Sequence, residues 1–394
     1  MTTNKIILKP GKDRSVFRYH PWIFSGAIAG GEGDLQEGNI VKVYTSDHRY
    51  VATGHCQVGS IAVRILTFED VPVDYAFWRD RIAAAYRLRQ SIGLADAPDN
   101  NVYRLVHGEG DHLPGLVVDY YAGVAVVQFH SVGMYLEREH IARALREVLG
   151  DRLTAIYDKS EGTLPYKAAI EPKNGYLYGS AENFVALENG LKFNVDWLEG
   201  QKTGFFIDQR ENRSLLEKYA RGRSVLNMFC YTGGFSFYAM RGGAELVHSV
   251  DVSERAIELA NRNVELNFPG DARHEAFAEE AFRFLDKSRD KYDLIILDPP
   301  AFAKHQNVLN NAIQGYKKLN RKGIEIIRPG GILFTFSCSQ VMTKELFRQT
   351  VFTAAANTGR RVRILHQLTQ PADHPVNIYH PEGDYLKGLV LYVE

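Results

Sequence analysis

Four short apolar runs in the second half of the chain limit what it can fold into: SVLNMF (224–229), AELVHSVD (244–251), YDLIILD (292–298) and GGILFTFS (330–337). Each has the length of a strand rather than a helix. Stretches of helical periodicity lie between and after them, such as SERAIELANRNVELN behind a capping Ser253. A strand that is apolar at nearly every position needs cover on both faces of its sheet. Strand–helix alternation supplies that cover and predicts an α/β fold, a doubly wound and mostly parallel sheet. The closing YLKGLVLYVE reads as a last, antiparallel strand.

The pattern divides the chain into three. Residues 1–70 alternate apolar and polar positions in short pieces with turn punctuation, as in EGNIVKVYTSDHRYVATGHC, which predicts a small β-barrel. Residues 71–188 mix types and predict a small α+β layer: a helix behind the N-cap Asp74, two strands around a Gly/Pro turn, and a second helix at YLEREHIARALREVLG. Residues 189–394 carry the alternating α/β pattern.

The 394 residues balance 47 Lys and Arg against 47 Asp and Glu, which argues against a protein that coats nucleic acid non-specifically. Two local basic clusters stand out: Lys5, Lys9, Lys12, Arg14 and Arg18 near the start, and Lys317, Lys318, Arg321 and Lys322 at helical spacing. The first is interleaved with Phe17, Tyr19 and Trp22, a composition suited to a polyanion with stackable bases. No run reaches the roughly 18 apolar residues of a membrane span. The first residues lack the pattern of a secretory signal. Three dispersed cysteines form neither a disulfide framework nor a metal site. The expectation is a cytoplasmic protein with no metal and no membrane partner; a homodimer is compatible with it.

In doubly wound sheets ligands bind beyond the carboxyl ends of the strands. The candidate loop is Cys230-Tyr231-Thr232-Gly233-Gly234, and Asp251 at the end of the next run is placed to accept from ribose hydroxyls. The loop continues Gly-Gly-Phe235 without the third glycine of a dinucleotide fingerprint, so it makes a poor pyrophosphate cradle. A nucleoside ligand without phosphates, S-adenosylmethionine, fits it better. A second candidate is the Asp298-Pro299-Pro300 turn at another strand end, which fixes a carboxylate at the same sheet edge.

The runs QKTGFFIDQR, NMFCYTGGFS, SVDVS, LDPPAF, LFTFSCS and ADHPVNIYHPEGDYLKG, in that order, resemble the bacterial large-subunit ribosomal RNA cytosine-C5 methyltransferases. These are class I, Rossmann-like enzymes that use S-adenosylmethionine. HPWIFSGAI resembles the PUA RNA-binding module of that family, and RLVHGEGDHLPGLVVDYY its central α+β domain. The resemblance implies ribosomal RNA as partner, Cys338 as nucleophile and Asp298 as the group that grips the cytosine. It implies Gln209 and Arg210 at the methionine end of the cofactor, and a pocket wall of Asn227, Phe229, Tyr231, Thr232, Gly233 and Gly234. It places Asp251, Val252 and Ser253 on the ribose side and Glu279 or Glu280 at the adenine edge. Lys202 and Thr203 would shape the floor on the substrate side, with Lys9, Lys12, Arg14, Arg18, Lys317 and Arg321 for RNA. Cys230 and Cys56 are assigned to packing.

Carbon 5 of cytosine becomes nucleophilic only after a thiolate adds to carbon 6, so the site is expected to help Cys338 ionise. Related RNA cytosine methyltransferases carry a second cysteine after the Asp298-type motif, where this chain has Pro300 and Ala301. The base that removes the carbon-5 proton is therefore open between Asp298, His305 and water. Rival readings are an amino-group methyltransferase, a nicotinamide oxidoreductase and an RNA-binding assembly factor.

Overall fold

The computed structural model describes residues 4–165, 170–182, 184–303 and 305–394. They group into two units. One takes Met1–Gly190, Val195–Ile207 and Ala372–Gly383; the other takes Leu191–Asn194, Asp208–Pro371 and Asp384–Glu394.

The first unit holds two sheets. A six-stranded sheet built from Lys5–Leu8, Trp22–Phe24, Ile28–Glu32, Ile40–Tyr44, Tyr50–Cys56 and Ile61–Thr67 encloses its own core of Ile6, Leu8, Val41, Val43, Val63 and Ile65. A five-stranded sheet between Val102 and Gly179 is covered by the helices Tyr75–Ser91 and Arg138–Leu149. The Asp74 carboxylate accepts from the Phe77 backbone N–H at 3.2 Å, the cap that residue type provides.

Residues 372–383 follow the last helix of the α/β pattern in sequence, yet they belong to this first unit. Arg89, fully buried, donates to both carboxylate oxygens of Asp111 and to the Asp373 carbonyl at 2.7 Å. The Asp373 carboxylate in turn accepts from the Arg104 backbone N–H at 2.9 Å. Gly110 meets this segment so closely that a Cβ there would lie 1.9 Å from the Pro375 carbonyl oxygen.

The second unit is a seven-stranded sheet in the order His274–Ala278, Leu246–Asp251, Ser224–Met228, Leu294–Leu297, Gly331–Ser337, Lys387–Val393, Val362–Leu368. The pairings among the first five strands are parallel, and Lys387–Val393 runs antiparallel to both its neighbours. Leu294–Leu297 and Gly331–Ser337 are buried at every position, as two-sided cover requires. Chain order reverses between Ser224–Met228 and Leu294–Leu297. The carboxyl ends of these two strands therefore mark the topological switch point, where sheets of this kind bind ligands.

Candidate active site

Beyond Met228 the backbone enters the left-handed region at Phe229 (φ 58°), Tyr231 (φ 47°) and Gly233 (φ 88°). Two of these residues carry side chains, and each such departure costs on the order of 1–3 kcal/mol, strain that concentrates at ligand sites. Gly233 is obligatory, because a Cβ there would sit 2.5 Å from Phe237 Cζ. It precedes the helix Gly234–Arg241, whose first N–H groups face the loop end. Asp251 Oδ2 accepts from the Tyr231 N–H and Oδ1 from the Ser253 N–H, both at 3.0 Å. Each oxygen keeps a lone pair for a ribose hydroxyl. Asn227 gives Nδ2 to Ser236 Oγ at 2.9 Å, while its buried Oδ1 has no hydrogen-bond partner among the described residues. A buried acceptor left open in this way suits a ligand ammonium or hydroxyl. Braced carboxylate, open acceptor and strained loop together fit S-adenosylmethionine.

The second half of the site lies across the switch point. Gln209 Nε2 donates to Asp298 Oδ2 at 3.0 Å, and Asn212 Nδ2 holds the Gln209 Oε1 at 2.6 Å, which fixes the amide orientation. Burial first, and the Asp208 carboxylate second, push Asp298 up to about 7, against the Gln209 hydrogen bond and Arg213. Asp208 is itself held by the Tyr385 hydroxyl at 2.8 Å.

Cys338 follows the last residue of the Gly331–Ser337 strand. Ser339 Oγ donates to the Ala303 carbonyl at 2.6 Å, tying the cysteine turn to the Asp298 loop. On the other side Lys387 Nζ donates to the Ser339 carbonyl at 2.6 Å and to the Tyr385 carbonyl at 2.5 Å. Lys387 pairs with Ser337 across the antiparallel ladder, so its side chain reaches the same strand end. Sequence reasoning missed it. The signal was a lysine opening an otherwise apolar strand: a long cation placed there must find carbonyls or an anion.

The sequence leads one to expect a site that helps Cys338 ionise, but the protein alone opposes ionisation. Burial, then Asp298 and Asp208, push the thiol up to about 11, and Lys387 works against them. Burial likewise brings Lys387 down to about 8. Cys230 is buried and its thiol is pushed well up by burial, as its assignment to packing requires.

Other sequence-derived candidates are placed as follows. Arg210 is fully buried at the start of the helix Arg210–Tyr219, 3.5 Å from the Glu211 carboxylate. Thr232 is buried and Val252 is 76% exposed at the strand end. The Ser253 hydroxyl caps the next helix at the Ala256 N–H. Glu279 pairs with Lys287 at 2.6 Å, and Glu280 caps the helix Ala281–Asp286 through the Arg283 N–H. The assignment of Thr203 to RNA needs correction. It is 1% exposed within the first unit, and its hydroxyl donates to Asp119 at 2.6 Å and meets the Tyr121 hydroxyl at 2.9 Å, which leaves it to packing. Lys202 is exposed on the adjoining turn. In the second basic cluster Arg321 pairs with Glu325 and Lys322 with Asp286, while Lys318 lies over the Phe282 ring at 4.4 Å. His305 is exposed. Lys9, Lys12, Arg14 and Arg18 are exposed and enter no ion pair among the described residues. No cluster of three metal-ligating side chains occurs among the described residues, and no described helix is long and apolar enough to cross a membrane.

The sheet order, the strained glycine loop and the acidic strand ends define a Rossmann-like S-adenosylmethionine-dependent methyltransferase. The model of that methyltransferase family matches residues 103–379, a PUA-like domain matches residues 6–68, and the chain belongs to the family. It is 40% identical to Ribosomal RNA large subunit methyltransferase I of Aeromonas hydrophila, over 98% of each chain. It is equally identical to the protein of that name from Pseudoalteromonas atlantica, over 99% of this chain and 100% of that one. Among solved structures, a methyltransferase-type chain in complex with SAH aligns with TM-score 0.85 at 25% identity, over 99% of this chain and all of that one. A Streptococcus mutans protein shares the fold with TM-score 0.84 at 24% identity, over 99% of this chain and all of that one.

Proposed function

We propose that this chain acts in the cytoplasm and methylates carbon 5 of a cytosine in large-subunit ribosomal RNA, with Cys338 as covalent nucleophile. The observation that carries the reading is the clamped position of Cys338. It is tied through Ser339 to the Asp298 loop on one side and to Lys387 on the other. The three sequence modules, 1–70, 71–188 and 189–394, would divide the work into RNA capture, a linking layer and chemistry.

A target base in a stem must first be turned out, at a cost of a few kcal/mol. Cys338 then loses its thiol proton to solvent, the thiolate forms a bond to carbon 6, and the displaced ring electrons draw a proton from the acid form of Asp298 onto N3. S-Adenosylmethionine, when bound, supplies the positive charge beside the thiolate and the methyl group that carbon 5 takes up. The carbon-5 proton leaves to solvent, Asp298 recovers its proton from N3, and expulsion of the Cys338 thiolate restores the aromatic ring.

With a thiol at about 11, only about one molecule in ten thousand is thiolate at neutral pH, so every cation near the sulfur contributes. Lys387 is one such cation. Replacing it in Lys387→Met is expected to slow Cys338 alkylation by iodoacetamide by about a few fold at pH 7, where the amine is charged, and to have little effect well above pH 8, where the amine is neutral. Methyl transfer at neutral pH should fall by a similar factor with little change in cofactor affinity. An unchanged alkylation profile removes this role.

The function is tested with isotope-labelled S-adenosylmethionine, large-subunit ribosomal RNA and nucleoside analysis of the product. Label in 5-methylcytidine is expected. Label only in an amino-methylated nucleoside, or none, overturns the proposal.

A further inference from the structure

We infer that Tyr19, Phe24 and Tyr379, with Ile378 at their edge, form a stacking platform for unpaired bases of the RNA substrate. All four belong to the first unit, two contributed by the N-terminal module and two by the returning segment 372–383. Their exposures are 51% for Tyr19, 47% for Phe24, 48% for Tyr379 and 86% for Ile378, and Phe17, two residues before Tyr19 in the chain, is 53% exposed. Large apolar side chains gathered this way on an open surface mark a contact site.

The rings are held rather than loose. Tyr19 meets Tyr379 with centroids 5.2 Å apart and packs edge-on against Phe68, also at 5.2 Å. Its own backbone is in the left-handed region (φ 62°) and its N–H donates to the Val16 carbonyl at 2.9 Å. The Tyr379 N–H donates to Asn377 Oδ1 at 3.0 Å, and Asn377 Nδ2 reaches the Glu109 carbonyl at 3.3 Å. Beneath Phe24 lies a row of rings in which His20, Trp22 and His380 touch. It is pinned where Trp22 Nε1 donates to the Glu109 carboxylate at 2.8 Å. Arg64 pairs with the same carboxylate at 2.7 Å and covers the Trp22 ring. A platform fixed in advance loses little side-chain freedom when a base settles on it.

Charge decides the occupant. Lys9, Lys12, Arg14 and Arg18 come from the same stretch of chain as Tyr19, are exposed, and form no ion pair among the described residues. The Glu109 carboxylate is taken up by Trp22 and Arg64, and Glu382 lies 3.6 Å from His20 and 3.7 Å from His380. Aromatic faces beside free cations are how single-stranded nucleic acid is held, with the cations on phosphates and the rings under bases. A second copy of the chain on this face would set the same cations against themselves across a two-fold axis, which disfavours that occupant. Bases locked in a stem present no free face, so the occupant is an unpaired stretch flanking the target. This inference rests on the RNA substrate proposed above.

The test is binding of Tyr19→Ala and Tyr379→Ala to deproteinised large-subunit ribosomal RNA and to a fully paired RNA duplex of simple sequence. Both side chains are half exposed, so folding should persist, and S-adenosylmethionine affinity monitors it. Each alanine variant should weaken binding to ribosomal RNA by about tenfold while leaving duplex binding unchanged, and Tyr19→Phe and Tyr379→Phe should bind as the parent does. Unchanged affinity of both alanine variants for ribosomal RNA overturns the platform, as does equal loss on both RNAs. So does a dimer of the parent that these substitutions dissolve without effect on RNA binding. Methyl transfer by the parent to the same RNA is followed in parallel. Failure of that transfer counts against the substrate, whereas an active parent with unaffected alanine variants counts against the platform alone.

Discussion

Cys338→Ala is expected to abolish methyl transfer to ribosomal RNA, by on the order of 10⁴-fold or more, while S-adenosylmethionine binds as before. The size follows from the chemistry of the base. Without a sulfur bond at carbon 6 the pyrimidine ring has no enamine character, and carbon 5 has no electron pair to offer the methyl. The remaining groups can still bind and orient both ligands, which is why cofactor affinity should survive. Cys338→Ser should fare no better, because a hydroxyl ionises far less readily than a thiol even beside Lys387. The same substitution separates the leading reading from an amino-group methyltransferase, for which the thiol is idle and turnover should persist. Turnover within a few fold of the parent in Cys338→Ala, measured with labelled cofactor, would sink the covalent mechanism. It would leave the fold and the cofactor site untouched.

How much of this was legible in the residues differs from one part to another. The parallel strands announced themselves because burial on both faces leaves no polar alternation, and Leu294–Leu297 is buried at every position. The Thr232-Gly233-Gly234 turn was legible because a left-handed residue and a close approach to Phe237 both call for glycine. Asp74 and Ser253 were readable as caps because a short side chain with an oxygen satisfies N–H groups only a few residues away.

What escaped depends on partners distant in sequence. The return of residues 372–383 to the first unit rests on Arg89 meeting the Asp373 carbonyl and on Gly110 meeting Pro375, contacts that no local pattern encodes. The helix at Lys317–Lys322 looked like a free cationic face, but Asp286, Glu325 and Phe282 occupy three of its four cations. Thr203 lies in a run that reads as facing substrate, whereas Asp119 and Tyr121 hold its hydroxyl. Lys387 belonged to a run read as a plain closing strand; its importance comes only from lying opposite Ser337.

The second large effect concerns Asp298 and is read in the pH dependence as well as the rate. The proposed step needs Asp298 as the acid and Cys338 as the thiolate, in a protein where the first is held at about 7 and the second at about 11. As pH rises toward 7 the acid form of Asp298 stays full while the thiolate fraction grows tenfold per unit, so log kcat/KM should climb with unit slope. Above about 7 the acid form shrinks by the same factor as the thiolate grows, and the profile should flatten. Asp298→Asn keeps a hydrogen-bonding group of the same shape against Gln209 but has no proton to give, and it should lower kcat by about 10²–10⁴-fold. Because the titrating acid is gone, the break near 7 should vanish and the residual activity should keep climbing through it. Gln209 holds the carboxylate in place, and Asp208 is the neighbour that raises it. Asp208→Asn should therefore shift the break to lower pH without erasing it. Should the variant at Asp298 show the same break as the parent, the titrating group lies elsewhere and the carboxylate serves only to hold the base.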